Sequence, residues 1–444
     1  MKNSSKNNSK AENNTVNETD LDLTKILPEL RQEGFYGVIG RASLILCEGF
    51  RAHPNFTLAT LMSRLAASIH KGNVVVKNGA QNTEIRINSL LIMRTGGGKG
   101  MSEGRASLLI EHSMLRAPSQ SDDNEHSLFS KVHDGGIATA EGLIFELRDE
   151  PHGEESTNDK RRCIVEEEWV NTLIKCRANG STLSPVIRGL FDGGSFSPMI
   201  KHDRITSTNP HVCFVGHITP SEFLAEIRAT EVSNGFNNRF LTIYAVPKPV
   251  IPFPKELDTS SLDKVATELA DAIHWCNDEK RVLELAPCFK ELWAVQAFRL
   301  DQLGSPESLE SKLLARAAHY ALMISGLFAA LEKSTLLKRE HLVAALAWID
   351  YWHSSIRYVF NTEAEALENQ KRKKREELVL ETIILIAKKH PSRSFNSSEL
   401  TVKLKNKLSG PEISVALQGL QERPTSPILI TDTGSFNRKI IELL

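Results

Sequence analysis

Residues 90–102 read Leu-Leu-Ile-Met-Arg-Thr-Gly-Gly-Gly-Lys-Gly-Met-Ser. A short apolar run over 90–93 stops at three glycines and a lysine, and helical character begins from Ser102. That is the strand, loop, helix order of a phosphate-binding loop. Glycines let backbone N–H groups close around phosphate oxygens, the following helix offers its positive end, and Lys99 reaches the terminal phosphates. The candidate nucleotide-binding residues are therefore Thr95, Gly96, Gly97, Gly98, Lys99 and Gly100. Against the pattern G-x-x-x-x-G-K-[ST], Met93 replaces the first glycine and Gly100 replaces the hydroxyl. The nearby hydroxyls able to approach a metal are those of Thr95 and Ser102. A flexible turn between strand and helix is the competing reading.

The composition sets bounds around this stretch. At 444 residues the chain should hold two or three domains, since one hydrophobic core seldom grows beyond roughly 250 to 300 residues. With 41% hydrophobic and 25% charged residues it has an ordinary globular composition. A formal net charge of -1 gives no global pull toward nucleic acid or an anionic membrane, so such contacts must be local. Six cysteines are scattered without a C-x-x-C pair and read as reduced core residues of a cytoplasmic protein. No apolar run approaches the roughly 18 residues of a membrane span, and the N-terminus lacks a signal-peptide core.

Outward from the glycines, residues 1–22 are dominated by Asn, Ser, Lys and Glu and read as a disordered tail. Two helices precede the loop, and strands are expected over 73–76 and 83–93, placing the loop at a sheet edge. Further on, the apolar run Cys163-Ile164-Val165 ends in Glu166-Glu167-Glu168. A strand closing on adjacent carboxylates suits an NTPase: one acid holds Mg²⁺, often through water, and its neighbour polarises the attacking water. A glutamate-rich helix start is the alternative, since negative charge suits a helix N-terminus.

A helix is expected with Ser184 as its cap and Pro185 in its first turn. The buried strand at 211–216 then delivers His217 and Thr219 at its carboxyl end, where open α/β sheets bind ligands. His217 is thus placed to sense a terminal phosphate, or simply to cap a loop. Arg239, in a Gly/Asn-rich loop ahead of another strand, could project a guanidinium onto a neighbouring subunit's nucleotide; a structural salt bridge competes equally.

Four prolines over 247–254 mark a boundary. Helical spacing then continues to about residue 370, read as an α-helical lid from which Arg316 could also reach nucleotide. From 371 onward, three helices and a closing hairpin spell a winged helix. This end carries 14 Lys and Arg against 8 Asp and Glu, the local footprint of DNA binding through a helix and a wing. Protein contact is the alternative use.

The segments 94–95 with 99–102, 140–143, 165–168, 183–185, 216–220 and 234–240, in that order, resemble the YfjI-like family of bacterial P-loop ATPases. Its members occur in phages, plasmids and prophage islands, often joined to primase-polymerase modules. The resemblance covers about residues 26–360 and implies a loop variant of the form Lys-Gly-x-Ser, with Ser102 as a metal-side hydroxyl. Glycines 96–98 stand where relatives are commonly more basic, and with no primase module here a separate protein would supply priming.

The expected architecture is an α/β chain with a RecA-like or AAA-like P-loop NTPase core over 23–250, a helical lid over 251–370 and a winged-helix domain over 371–444. The expected cofactors are ATP and Mg²⁺, with Ser102 and Glu166 on the metal, Glu167 orienting water and Arg239 acting from the neighbouring protomer. The assignment among Glu166, Glu167 and Glu168 stays open by one residue. The expected function is a replicative helicase or helicase loader of a mobile element: a cytoplasmic homo-oligomer, with a hexamer as one expected form, that binds DNA and no membrane. An ATPase switch gating a defence effector and a non-catalytic DNA-binding regulator are the alternatives.

Overall fold

The computed structural model describes residues 26–117, 127–133, 135–149, 159–198, 205–227, 234–421, 423, 426–432 and 439–444. The tail expected over 1–22 and the polar stretch around 119–125 lie outside the described residues. Helices α1 (Gly37–Cys47) and α2 (Pro54–Ser68) come first. Pro54 takes the first position of α2, the His53 ring accepts from the Asn55 N–H at 3.3 Å, and every residue from Asn55 to Ser68 is buried. A helix without a polar face belongs inside a core, and α2 packs against the main sheet.

A hairpin of β1 (Val74–Asn78) and β2 (Gln81–Glu84) follows. Next come β3 (Ser89–Ile92), α3 (Lys99–Met114), β4 (Lys131–His133), α4 (Ala140–Glu146) and β5 (Arg161–Glu166). After them run α5 (Trp169–Cys176), α6 (Leu183–Phe191), β6 (His211–Ile218), α7 (Pro220–Glu226) and β7 (Leu241–Tyr244). Five of these strands lie in the order β4-β5-β6-β3-β7, each pair parallel. The chain is thus an α/β fold around a five-stranded parallel sheet. Its strands β5 and β6 are buried along their whole length, as expected when helices cover both faces. Alternate side chains serve two cores. Leu91, Cys163 and Val215 pack with α1 to α3, whereas Leu90, Ile164 and Phe214 pack with α4 to α6.

Three local expectations are corrected. The strand expected over 83–93 is interrupted, because β2 belongs to another sheet and only 89–92 enters the main one. Nor does β3 lie at an edge: its apolar run pairs with β6 on one side and β7 on the other. The helix expected to be capped by Ser184 begins at Leu183, with Thr182 in the cap position and no side-chain cap bond.

Beyond β7 lie α8 (Thr259–Asp278), β8 (Arg281–Leu285), α9 (Pro287–Asp301), α10 (Leu309–Leu313), α11 (Ala317–Leu331), β9 (Leu336–Leu337) and α12 (Arg339–Tyr358). This region, expected to be nearly all helix, contributes β8 and β9 to a second sheet ordered β2-β1-β8-β9. Strict alternation along β8, with Arg281, Leu283 and Leu285 inward, is the period of a half-buried strand. One core joins α1, α2, α8, α11 and α12 to a face of the parallel sheet. The stretch Leu309–Leu331 is long and apolar enough to cross a membrane, yet 78% of its most apolar window is buried inside this core.

The C-terminal unit comprises α13 (Ala364–Ala387), β10 (Ser394–Asn396), α14 (Ser397–Leu404), α15 (Gly410–Gln421), β11 (Ile428–Asp432) and β12 (Lys439–Leu443). Its strands are antiparallel in the order β10-β12-β11. Val379, Ile383, Leu400, Leu420 and Ile441 form a core of its own. Most of the turn expected over 432–435 lies outside the described residues.

Candidate nucleotide site

The turn from β3 into α3 depends on glycine. Gly96 and Gly98 adopt φ of +69° and +102°, a region that L side chains enter only at a cost. A Cβ on Gly97 would stand 2.5 Å from the Met93 sulfur. The Gly97 N–H donates to Arg94 O at 3.1 Å and closes the turn. Lys99 opens α3, and its Nζ donates to Met93 O at 2.8 Å. The amine therefore lies folded back along the loop. Burial pushes its pKa down, with Glu222 partly opposing that shift.

A cavity of about 590 Å³ opens over this turn. Thr95, Gly96, Gly97, Gly98, Lys99 and Gly100 form one side, and Glu167, Glu168, His217, Thr219 and Glu222 the other. It sits outside the carboxyl ends of β3, β5 and β6, where ligands bind in open α/β sheets. The first-turn N–H groups of a helix have no intrahelical acceptor, so the start of α3 offers donors as well as dipole.

His217 supplies an independent sign of a ligand. It is buried at the end of β6, and among the described residues its Nε2 has no hydrogen-bond partner. Burial, and then the charge of Lys99, lower its pKa to about 4. At neutral pH it is an uncharged imidazole with an unsatisfied nitrogen, a costly arrangement unless a ligand completes it.

The acids divide between two places. Glu166 is buried and accepts from the Ile137 N–H at 3.0 Å and the Thr172 hydroxyl at 3.4 Å. It does not line the cavity. Glu167 does: a Cβ on Gly100 would stand 3.5 Å from its Oε1. Glu168 lines the cavity too and holds the Asn171 amide at 2.9 Å. Glu222 is engaged in a capping box with Thr219, the two side chains 2.7 Å apart. The cavity thus gathers three carboxylates around one ammonium and a neutral histidine. A bare polyanion would be repelled there, whereas a polyanion carrying a divalent cation is compatible with it. Mg²⁺ takes one or two protein carboxylates together with phosphates and waters, a demand Glu167 can meet.

Three expected site residues stand elsewhere. Ser102 is buried, and its Oγ accepts from the His53 N–H at 3.0 Å, tying α3 to the start of α2. Lying beyond the cavity wall, it is not brought to the metal side. Arg239 precedes β7 at the amino end of the sheet, in register with the start of β3 and a strand's length from the glycines. Its guanidinium is buried against Asp192 at 2.6 Å and donates to Gly235 O at 2.7 Å. Arg316 joins the same Asp192 at 3.4 Å. Within this chain the two arginines form an ion-pair cluster.

Sequence reasoning gave no role to the packing directly behind the acids. Trp169, next to Glu168, is fully buried and packs so closely on Gly216 that a Cβ there would meet its ring at 2.7 Å. Phe236 and Phe240 close around the same indole at 6.4 and 5.0 Å. An apolar tryptophan directly after a run of acids was the available signal.

No protein-family model matches the chain, and no curated protein matches it.

Proposed function

We propose that this chain is a Mg²⁺-dependent ATPase with a RecA-like or AAA-like core that drives work on nucleic acid, as a helicase or helicase loader of a mobile element. The observation that carries the reading is the convergence of the glycine turn, Lys99, Glu167 and the unsatisfied His217 in one cavity at the strand ends. The turn and the start of α3 bind phosphates, and Lys99 leaves Met93 O to reach them. Bound Mg²⁺ would neutralise charge on the phosphate oxygens. Glu167 is the acid placed to hold that ion, Glu168 is next in line to orient water, and His217 gives a neutral hydrogen bond to the terminal phosphate. The resemblance to the YfjI-like family supports the ATPase reading.

The C-terminal unit supports the DNA side. Its order of helix, strand, two helices and two strands is that expected of a winged helix, and its local charge is positive. The positive run at 371–375 is partly neutralised within the chain, through Glu368, Glu376 and Glu412. The third helix, α15, contains no Lys or Arg. Lys403, Lys405 and Lys407, at the exposed end of α14, are the better candidates for phosphate contacts. On this reading the protein works in the cytoplasm as an oligomer.

ATP turnover, with and without single-stranded DNA, tests the proposal in wild type and Lys99→Ala. DNA-stimulated, Mg²⁺-dependent turnover that the substitution abolishes is expected. Turnover undiminished in Lys99→Ala would sink the phosphate-loop reading.

A nucleotide-gated switch acting on an effector is favoured by one observation: Gly100 stands where a metal-binding hydroxyl would be, and Ser102 points into the core. Tight nucleotide binding with slow hydrolysis, indifferent to DNA, would select it.

A further inference from the structure

One helical run joins the body of the protein to its C-terminal unit. α12 passes into α13 without a break, through a five-residue π turn at Val359–Glu363. α12 is fixed to β7: the Tyr351 hydroxyl donates to Tyr244 O at 2.6 Å, and the Tyr244 N–H donates to the Ser355 hydroxyl at 3.0 Å. α13 gives Val379, Ile383 and Ile386 to the core of the C-terminal unit. The π turn is thus the joint between the two. Such turns interrupt α-helices as single turns with one residue more than an α turn, frequently at functional sites.

This joint is pressed against the wall of the nucleotide cavity. Thr219 and Glu222 line that cavity and form the capping box that starts α7 (Pro220–Glu226). The next residue, Phe223, is fully buried, and its ring stands edge-on to Phe360 at 5.9 Å, with 62° between the planes. α7 also packs on α13 itself. Val359 is fully buried in the same apolar cluster as Phe223 and Trp169, the indole behind the acids. One helical turn and one pair of rings therefore separate the cavity from the joint. A close-packed interior passes a shift of α7 on instead of absorbing it.

We propose that the π turn is a nucleotide-responsive joint. When His217 engages the terminal phosphate, the end of β6 and α7 shift together, and Phe223 acting on Phe360 lets the turn close into an α turn. The inference rests on the nucleotide reading of the cavity. Closing the turn moves the helix beyond it by one residue in register, a rotation of about 100°. α14 packs beside α13, roughly 10 Å from its axis, so the C-terminal unit swings through a distance on the order of 10 Å. Linkage makes the coupling reciprocal: whatever holds the unit in the rotated position tightens nucleotide binding by the same factor.

The test is the distance between spin labels on Cys288 and on an introduced Val402→Cys, in the full chain with and without ATP and Mg²⁺. Cys288 is exposed while the other five cysteines are buried, and Val402 is 75% exposed on α14. A fluorescent ATP analogue reports binding on the same samples. In the labelled parent, nucleotide is expected to move the distance by on the order of 10 Å. Phe360→Ala should bind nucleotide as the parent does, because Phe360 does not line the cavity, yet lose the shift. Deleting Asn361, which is exposed in the turn, removes the extra residue and should fix one distance whether or not nucleotide is bound. A parent that binds nucleotide without a change of distance, or a Phe360→Ala or deletion protein that still shifts as the parent does, would overturn the joint and leave the nucleotide site standing. A parent that binds no nucleotide would overturn the site and this inference with it.

Discussion

Glu166 and Ile137 are joined through the main chain: the Glu166 carboxylate accepts from the Ile137 N–H at 3.0 Å, while Lys175 donates to Ile137 O at 2.6 Å. The loop into α4 is thus held at both its donor and its acceptor by β5 and α5. The next residue, Glu167, faces the cavity instead. Two consecutive glutamates therefore have separate tasks, one tethering a loop and the other meeting the ligand.

The division predicts opposite behaviour on substitution. Glu167→Gln should lower turnover by about 10²-fold or more, the scale of losing a positioned catalytic group, with stability little changed. Glu166→Gln keeps an oxygen for the Ile137 N–H and should be mild. Glu166→Ala strands that buried donor, at a cost of about 1–3 kcal/mol. Denaturant midpoints and turnover measured side by side decide it; a turnover loss confined to Glu166→Gln would reverse the roles.

What the sequence disclosed follows from how locally each feature is determined. The glycine turn and Lys99 were legible because a short run of residues specifies them. The carboxyl-end position of His217 followed from a buried strand of known direction. The direction of the Ser102 hydroxyl was not legible because it is held by the N–H of His53, far away in sequence, which caps a helix packed on α3. The choice between Glu166 and Glu167 turns on which side of β5 each faces, and that depends on where the strand ends. For Arg239 the sequence left a trans-acting guanidinium and a structural salt bridge equally open, because its partner, Asp192, lies at the end of a different helix. β8 was hidden among helices since its strand partner, β1, lies on the far side of the main sheet in sequence.

Gly216 should be intolerant of any side chain. A Cβ there would meet the Trp169 ring at 2.7 Å, and the ring is fixed by Phe214, Phe236 and Phe240. Gly216→Ala is expected to cost about 1–3 kcal/mol by overpacking and to displace the neighbouring Glu167 and Glu168. Turnover should then fall further than the stability loss explains. Normal turnover in a folded Gly216→Ala protein would show that Trp169 does not set the acids.

Acid should destabilise the fold well above the carboxylate range. His53, His217 and His319 are each held neutral with pKa near 4, chiefly by burial, and His211 is lowered to about 3. In the unfolded chain a histidine titrates near its ordinary value of about 6.5. Between those values the unfolded state binds more protons, so stability is full above about pH 6.5 and falls as pH drops toward 4. Each such histidine contributes a slope of at most about 1.4 kcal/mol per pH unit. Denaturant unfolding at pH 7 and pH 5 should show the loss, and His319→Gln should remove one histidine's share of it. Equal stability at the two pH values would contradict this account.

Lys403, Lys405 and Lys407 form no ion pair among the described residues, whereas Lys371, Arg372 and Arg375 each have an acidic partner in the chain. If the C-terminal unit holds duplex DNA by its backbone, the free lysines release counterions on binding and the paired residues release fewer. Replacing all three free lysines by alanine should make the plot of log affinity against log salt shallower by up to about 2.7, at roughly 0.9 per lost phosphate contact. The same change at 371, 372 and 375 should alter the slope less, because those charges are already partly neutralised. Binding by fluorescence anisotropy over a salt series separates the two. An unchanged slope in the first variant would exclude Lys403, Lys405 and Lys407 as phosphate contacts.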